Sequence, residues 1–174
     1  MHYIYGVSQT PSRTATLPAS SQGCTCAKLR RLTRRITAVY DRELAAAGLR
    51  VTQYSLLAAL RSDTGTGGTG SAGGIGLTEL ADRMDMDRST LSRNLRPLID
   101  RGWAELIAHG QDARVRVARL TAQGLAQWQS ARPYWKRAQN EVNATLGAAQ
   151  VLQLHQQLDE VTPLFRPAEP TPED

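Results

Sequence analysis

Two short helical patterns separated by a three-residue break constrain the fold of this sequence more than any other feature. The first pattern, Glu79–Met84, and the second, Arg88–Arg101, each place apolar residues at the spacing of one helix face. The break Asp85-Met86-Asp87 leaves room only for a tight turn, and Asp87 is a residue type that caps helix N-termini. The pattern therefore predicts a helix-turn-helix, whose second helix is long enough to lie in a major groove of DNA.

The second helix of this pair combines an apolar face with an opposite face rich in arginine and serine. Only Lys28 and Lys136 of the 21 basic residues are lysines. Arginine suits contacts to phosphate and guanine because its planar guanidinium donates two parallel hydrogen bonds. Hydroxyl groups on the same face can contact base edges. The candidate DNA contacts on this helix are Arg88, Ser89, Thr90, Ser92, Arg93 and Arg96.

The residues that follow the second helix predict a β-hairpin. Trp103–Ile107 and Val115–Leu120 are predicted as its strands, and the second strand alternates valine and arginine as a strand with one solvated face does. The polar stretch His109–Arg114 is predicted as the tip. A helix-turn-helix followed by a hairpin with a basic tip is a winged helix. We expect its arginines, Arg114 and Arg116, to enter a narrow minor groove of strong negative potential.

Four further helical patterns make the chain mainly helical. They cover residues 27–47, 52–60, 121–146 and 148–161. Thr52 is predicted to cap the second of these, and Thr78 to cap the short helix before the turn. Pro133 is predicted to kink or split the third. The predicted fold class is mainly α with a small β wing.

Composition and charge exclude several classes of protein. A chain of 174 residues with a net charge of +5 fits one domain, or one core with tails. No stretch reaches the 18 apolar residues of a membrane span, and Met1–Gln22 has no apolar block of the secretory kind. Two cysteines are too few for a disulfide framework. We therefore expect a cytoplasmic protein without a membrane partner.

Three segments carry no helical or strand pattern. Residues 1–22 and 164–174 are predicted as disordered tails, and the glycine-rich residues 63–76 as a flexible insertion. A phosphate-binding loop is excluded for the insertion, because it contains no basic residue and no Gly-Lys-Ser/Thr follows it.

Several segments of the chain, in order, resemble the multiple-antibiotic-resistance repressor (MarR) family of winged-helix regulators. They are Leu77–Ala81, Asp87–Leu95, Asp112–Arg114 and Leu120–Gly124, and Gly48–Tyr54 resembles the entry to the family's second helix. The resemblance covers about residues 24 to 162. It implies a homodimeric, sequence-specific repressor that binds a pseudo-palindromic operator in double-stranded DNA, with dimerisation helices from both ends of the chain.

The resemblance also implies a role for each part of the chain. Residues 23–62 would carry a dimerisation helix and the second helix, 77–120 the winged helix-turn-helix, and 121–163 the remaining dimerisation helices. Within the wing, Asp112 would hold a nearby arginine and Arg114 would lie at the minor groove. Neither an enzymatic activity nor a cofactor is implied.

Release of such a repressor from DNA commonly depends on a small organic effector, often a phenolic or aromatic acid. The resemblance implies that the effector binds in a cleft between the dimerisation helices and the DNA-binding part. Tyr40 and Tyr54, on the first two helices, are the candidates for its lining, with arginines nearby for a carboxylate. The leading hypothesis is therefore a repressor released by an aromatic effector.

Two cysteines at the start of the first helix leave a thiol switch as the alternative. The helix N-terminus and the charge of Lys28 favour a thiolate there. In the hydroperoxide-sensing branch of the MarR family a reactive cysteine lies near this point, with a tyrosine fourteen residues later, as Cys26 and Tyr40 do here. Cys24 is the other thiol that could react with an oxidised Cys26, and Val51 stands where the branch has a second tyrosine.

Three other hypotheses have less support. A winged-helix interaction module that does not read sequence is opposed by the basic face of the second helix. A thiol enzyme that uses Cys26 lacks a histidine near it in sequence. A metal site at Cys24 and Cys26 lacks further ligands at a suitable spacing. We therefore predict neither an enzyme nor a metalloprotein.

Overall fold

The computed structural model describes residues 23–63, 74–109 and 112–165, so the predicted N-terminal tail, most of the glycine-rich insertion and most of the C-terminal tail lie outside the described residues. Contacts divide the chain into two units, Met1–Arg34 and Arg35–Asp174. The elements are α1 (Thr25–Leu44), α2 (Val51–Asp63), β1 (Ile75–Gly76), α3 (Leu77–Arg83), α4 (Arg88–Asp100), β2 (Ala104–His109), β3 (Asp112–Leu120), α5 (Ala122–Leu146) and α6 (Ala148–Val161), with 3-10 turns at Ala45–Ala47 and Thr162–Phe165.

These elements confirm the predicted mainly helical fold with a helix-turn-helix and a small antiparallel wing. The turn between α3 and α4 contains Asp85, which has a φ of 50° in the left-handed region. Gly102 ends the α4 segment with a φ of 71°, a conformation that glycine adopts without steric cost. In the part of the chain that is described, no helix is long and apolar enough to cross a membrane.

The wing contains a third strand that the sequence patterns do not reveal. The sheet order is β1-β3-β2, and Ile75 pairs with Ala118 on one side of β3 while Leu106 pairs with it on the other. Ile75 was assigned to the flexible insertion, but its side chain is buried in the core. A two-residue strand is too short to show a period, which is why the pattern misses it.

One hydrophobic core joins the helix-turn-helix to α2, the wing and α5. Its largest fully buried side chains are Ile75 of β1 and a set of leucines, among them Leu57 of α2, Leu80 of α3 and Leu98 of α4. Ala131 of α5 and Ala118 of β3 are also buried in this core. Because α4 contributes Leu91, Leu95 and Leu98 to this core, its opposite face is held outward.

Two predicted helix caps are wrong. Helix α2 begins at Val51, not after Thr52, because the Asp41 carboxylate Oδ1 of α1 accepts the Val51 N–H at 2.7 Å. Helix α3 begins at Leu77, with Gly76 as N-cap and no side-chain cap. Strand β1 ends at Gly76 and leads directly into the helix, so Thr78 lies inside the first turn and is not the N-cap.

Helix α5 is continuous across Pro133, so the predicted split does not occur. A proline costs one backbone hydrogen bond and crowds the preceding turn. Pro133 is exposed, whereas Ala131 and Ala138 of α5 are fully buried, and this packing holds the helix on both sides of the proline. Thr121 caps the helix by accepting the Gly124 N–H at 2.9 Å.

Candidate nucleic-acid interface

The N-terminus of α4 is organised by the carboxylate of Asp87, as predicted. Asp87 Oδ1 accepts the Thr90 N–H at 2.8 Å and the Ser89 hydroxyl at 2.6 Å, and Oδ2 accepts the Thr90 hydroxyl at 2.8 Å. These hydrogen bonds, that of the Ser89 hydroxyl first, hold the pKa of Asp87 well below its usual value. The carboxylate is therefore ionised throughout the physiological pH range.

The arginines of α4 extend from the same exposed face. Arg93 donates from Nε to the Ser89 carbonyl at 3.3 Å and from Nη2 to the Thr90 hydroxyl at 3.2 Å, which directs its guanidinium along the helix. Arg96 pairs with Asp100 at 2.8 Å, and its side chain is 76% exposed. Such an exposed pair contributes little and gives way to a phosphate. Arg88, at the first position of α4, is exposed.

The wing places one of its predicted DNA contacts in the described part of the chain. Arg116 of β3 is exposed. The side chains of Asp112 and Arg114 lie outside the described residues, so their roles stay predictions. A cross-strand ion pair in the wing is not predicted by the sequence patterns: Arg119 binds one oxygen of Glu105 through Nε at 2.9 Å and Nη2 at 2.7 Å. The two residues lie opposite each other in the register of β2 and β3, and opposite charges at such positions indicate an ion pair.

Arg101, which follows α4, fixes the end of that helix and was also missed. Its Nη1 donates to the Gly48 carbonyl at 2.8 Å, and its guanidinium lies over the Trp103 ring at 4.8 Å from the centroid. The contact joins the end of α4 to the junction between α1 and α2. Nothing in a single sequence marks Arg101 apart from other surface arginines, so only the structure reveals it.

The predicted effector residues belong to an aromatic cluster formed by α1, α2 and α5. Tyr54 is 5% exposed and stacks between Trp128 and Trp135, with ring centroids 6.1 and 5.8 Å away. Tyr40 meets Trp135 at 6.3 Å and donates its hydroxyl hydrogen to Gln139 Oε1 at 2.6 Å. Burial raises the pKa of both tyrosines. Tyr54 is thus a packed core residue, while Tyr40 lies at the partly exposed edge of the cluster.

Arginines flank this aromatic cluster. Arg61 lies over the Trp128 ring at 4.4 Å from its centroid. Arg132 acts on Tyr54 through its positive charge, which opposes part of the pKa increase caused by burial. The cluster therefore combines apolar ring surfaces with cationic groups, a pairing of features that suits an aromatic acid.

The two candidate redox cysteines are free and exposed. Cys26 lies in the first turn of α1, and the carbonyl of Cys24 accepts the Lys28 N–H at 3.1 Å. The sulfurs are not joined, and the Tyr40 hydroxyl has its partner in Gln139. Both thiols are accessible to a small oxidant.

The helix-turn-helix and the first part of the wing lie in the segment that matches a known protein family. The MarR family model matches residues 47–115. No curated protein sequence matches the chain. Among solved structures, the chain is 34% identical to the Mycobacterium tuberculosis transcriptional regulator MosR in complex with DNA, with a TM-score of 0.67. The match covers 83% of this chain and 100% of MosR.

More distant structures share the fold. A cysteine-to-serine mutant of Escherichia coli MarR with operator DNA is 20% identical over 78% of this chain and 91% of its own, with a TM-score of 0.67. Bordetella bronchiseptica BpsR, whose DNA binding is regulated by 6-hydroxynicotinic acid, is 20% identical over 85% of this chain and 98% of its own, with a TM-score of 0.68.

Proposed function

The chain belongs to the MarR family of transcriptional regulators, and from this premise we propose that it is a homodimeric repressor that binds a pseudo-palindromic operator in the cytoplasm. Family membership makes it a regulator and not an enzyme. The observation that carries the proposal is the exposed face of α4, where Arg88, Arg93 and Arg96 stand beside three hydroxyl side chains. MosR, at 34% identity, is itself solved on DNA.

The proposed contacts divide into two kinds. Arginines of α4 and of the wing neutralise phosphates and supply affinity that falls with salt. Hydroxyls and Arg93, near the start of α4, reach base edges and supply discrimination between sequences. In a two-fold symmetric dimer, the two α4 helices contact half-sites about one helical turn, roughly 34 Å, apart.

Support for dimerisation comes from the end of the chain. Helix α6 has no buried residue, although its sequence is amphipathic. Large apolar side chains of α6 and the turn after it are exposed in the single chain: Leu152, Leu158, Val161, Leu164 and Phe165. Several large apolar side chains exposed within one short stretch are typical of an interface. Light scattering should give twice the chain mass, and Leu152→Asp with Leu164→Asp should shift it to the monomer.

The test of DNA binding compares two arginine variants with equal loss of charge. Fluorescence anisotropy at ~150 mM salt measures binding to the DNA upstream of the gene. Arg93→Ala should weaken binding about tenfold and relax the preference at the base pair that Arg93 contacts. Arg137→Ala is the control, because Arg137 lies on α5 and pairs with Glu43 at 3.0 Å. Equal effects of both variants, or binding without sequence preference, would favour the interaction module instead.

Release by an aromatic acid is supported by the cluster around Tyr40. The stacked tryptophan and tyrosine rings can pack against the ring of such a ligand, and Arg61 and Arg132 beside them can pair with its carboxylate. BpsR, whose regulator is 6-hydroxynicotinic acid, shares the fold. Titration with salicylate should quench the fluorescence of Trp128 and Trp135 and lower DNA affinity. Tyr40→Ala should remove both effects, whereas binding that persists in this variant would place the effector elsewhere.

A peroxide switch is the second candidate, favoured by the exposure of both thiols. The Cys26 thiolate would attack an organic hydroperoxide, break its O–O bond, and give a sulfenic acid and, after protonation, an alcohol. The Cys24 thiol could then displace the sulfenic oxygen as water and form a disulfide. Peroxide-dependent loss of DNA binding that disappears in Cys26→Ser would support this candidate. Binding indifferent to peroxide would leave the aromatic effector.

A further inference from the structure

Three hydroxyl groups on the exposed face of α4 have already committed their hydrogen inside the chain. Ser89 donates to Asp87 Oδ1 at 2.6 Å, Thr90 to Asp87 Oδ2 at 2.8 Å, and Ser92 to the Arg88 carbonyl at 2.8 Å. A hydroxyl has one hydrogen and two lone pairs. Each of these groups therefore meets an incoming molecule as a hydrogen-bond acceptor.

The three commitments differ in strength. A hydrogen bond to an ionised carboxylate is roughly twice as strong as one between neutral groups. The Ser92 hydroxyl, bound to a neutral carbonyl, can turn at little cost, but the hydroxyls of Ser89 and Thr90 cannot. Thr90 is half-buried and its oxygen already accepts Arg93 Nη2. Among the described residues, Ser89 is thus the exposed hydroxyl that is locked as an acceptor with its lone pairs free.

The polarity of this hydroxyl selects what it can bind in DNA. Phosphate oxygens accept hydrogen bonds and cannot donate them. In the major groove, guanine and thymine present acceptors, whereas adenine N6 and cytosine N4 are amino donors. We propose that Ser89, locked by Asp87, is a specificity-determining residue that accepts a hydrogen bond from an adenine or cytosine amino group in each half-site, with Asp87 as its positioning residue. This inference rests on the proposed function, because it takes α4 as the reading helix.

The first step of the test finds the base that Ser89 reads. Full-length protein is used to select binding sequences from random duplex DNA, in parallel with Ser89→Ala and Ser130→Ala. Ser130 is the matched control because it is an exposed serine on α5 whose hydroxyl donates to the Gln127 carbonyl. We expect Ser89→Ala to lose the preference for one base pair of each half-site, and the amino-bearing base of that pair, adenine or cytosine, is the one that Ser89 reads. Ser130→Ala should retain it.

The second step asks which atom of that base is bound. Replacing adenine by purine, or cytosine by 2-pyrimidinone, removes the amino group, and should weaken wild-type binding about fivefold beyond its effect on Ser89→Ala. Replacing the purine of that base pair by its 7-deaza analogue removes N7, and should have no Ser89-dependent effect. A penalty for the 7-deaza analogue that depends on Ser89, or an amino-group penalty that is the same in the wild type and Ser89→Ala, would overturn the inference while leaving DNA reading intact.

Asp87→Asn tests the lock itself. Asparagine keeps the oxygen that caps α4 and accepts the Ser89 hydroxyl, because both bonds go to Oδ1, whereas the Thr90 hydroxyl, bound to Oδ2, loses its acceptor. The Ser89 hydroxyl is then held by a neutral amide, with a hydrogen bond about half as strong as that to the carboxylate. The variant should retain its helix content by circular dichroism and show a smaller penalty for loss of the amino group than the wild type. An undiminished penalty would overturn the role of Asp87. If the wild type enriches no sequence at all, the proposed function fails and this inference fails with it.

Discussion

The substitution Gly124→Ala should destabilise the protein, although helix propensity alone predicts the opposite. In an exposed helix, alanine is favoured over glycine by about 1 kcal/mol. Gly124, however, lies in the first turn of α5 and is buried. A Cβ at this position would stand 2.8 Å from the carbonyl carbon of Trp103 and from Cδ1 of Leu120, and closer still to the Trp103 carbonyl oxygen.

The magnitude follows from what must move. Relief of the clash requires α5 or the Trp103 peptide to shift by roughly 1 Å. The Trp103 carbonyl is held in place, since it accepts the Thr121 N–H at 3.1 Å and shares the Thr121 hydroxyl hydrogen, at 3.2 Å, with the Gly102 carbonyl, at 2.7 Å. Overpacking costs about 1–3 kcal/mol and a lost hydrogen bond about 1 kcal/mol more. After the gain in propensity, we expect a net loss of about 1–3 kcal/mol.

Urea unfolding followed by circular dichroism measures this loss, with all variants at one protomer concentration because unfolding of a dimer depends on it. The melting temperature should fall by roughly 2–12 °C. Gly76→Ala is the matched control: its φ of −59° suits any residue and nothing lies within 4 Å of the new Cβ. If Gly124→Ala unfolds within 0.5 kcal/mol of the control, the reasoning from backbone contact is wrong.

Three further outcomes are expected. Leu98→Ala, at a fully buried site, should cost about 2–4 kcal/mol in urea unfolding, and a cost below 1 kcal/mol would argue against a tightly packed core behind α4. Thr121→Ala removes the cap of α5 and should cost about 1 kcal/mol, whereas Thr121→Ser should be nearly neutral by the same measurement. Because burial raises the pKa of Tyr40 in the folded state, its contribution to the free energy of unfolding should be fully present below pH 10. That contribution should be lost as the pH rises above 10. Tyr40→Phe, which also loses the hydrogen bond to Gln139, should flatten that decline in pH-dependent melting curves, and an unchanged slope would contradict the assignment.

The helix-turn-helix could be predicted from sequence because its signals are local. Asp87 caps α4 through a residue three positions away, and the leucines of α4 show their face within two turns. The same holds for Gly102, whose positive φ marks the end of the helix. Such patterns survive in a single sequence because each depends on neighbours along the chain.

Features that depend on distant residues could not be predicted. The start of α2 is set by Asp41, ten residues earlier on another helix, so the nearer Thr52 was the wrong choice. Helix α5 crosses Pro133 because alanines on either side are buried by the rest of the fold. The Arg101 contact to Gly48 spans 53 positions and has no local signature. Tertiary packing overrides local propensity in each case.

The helix-turn-helix and helix α6 differ in how much apolar surface they bury within the single chain. Helices α3 and α4 bury their leucines within one chain, and the hydrogen bonds around Asp87 set the side chains of α4 before DNA arrives. A preformed reading face loses little conformational freedom on binding. Helix α6 buries nothing in the single chain, so its stability depends on the partner proposed for it. The contacts of one α4 are therefore fixed locally, whereas the spacing of two α4 helices depends on the proposed dimer. In the proposed repressor, an effector or oxidant that alters this spacing releases DNA without altering α4 itself.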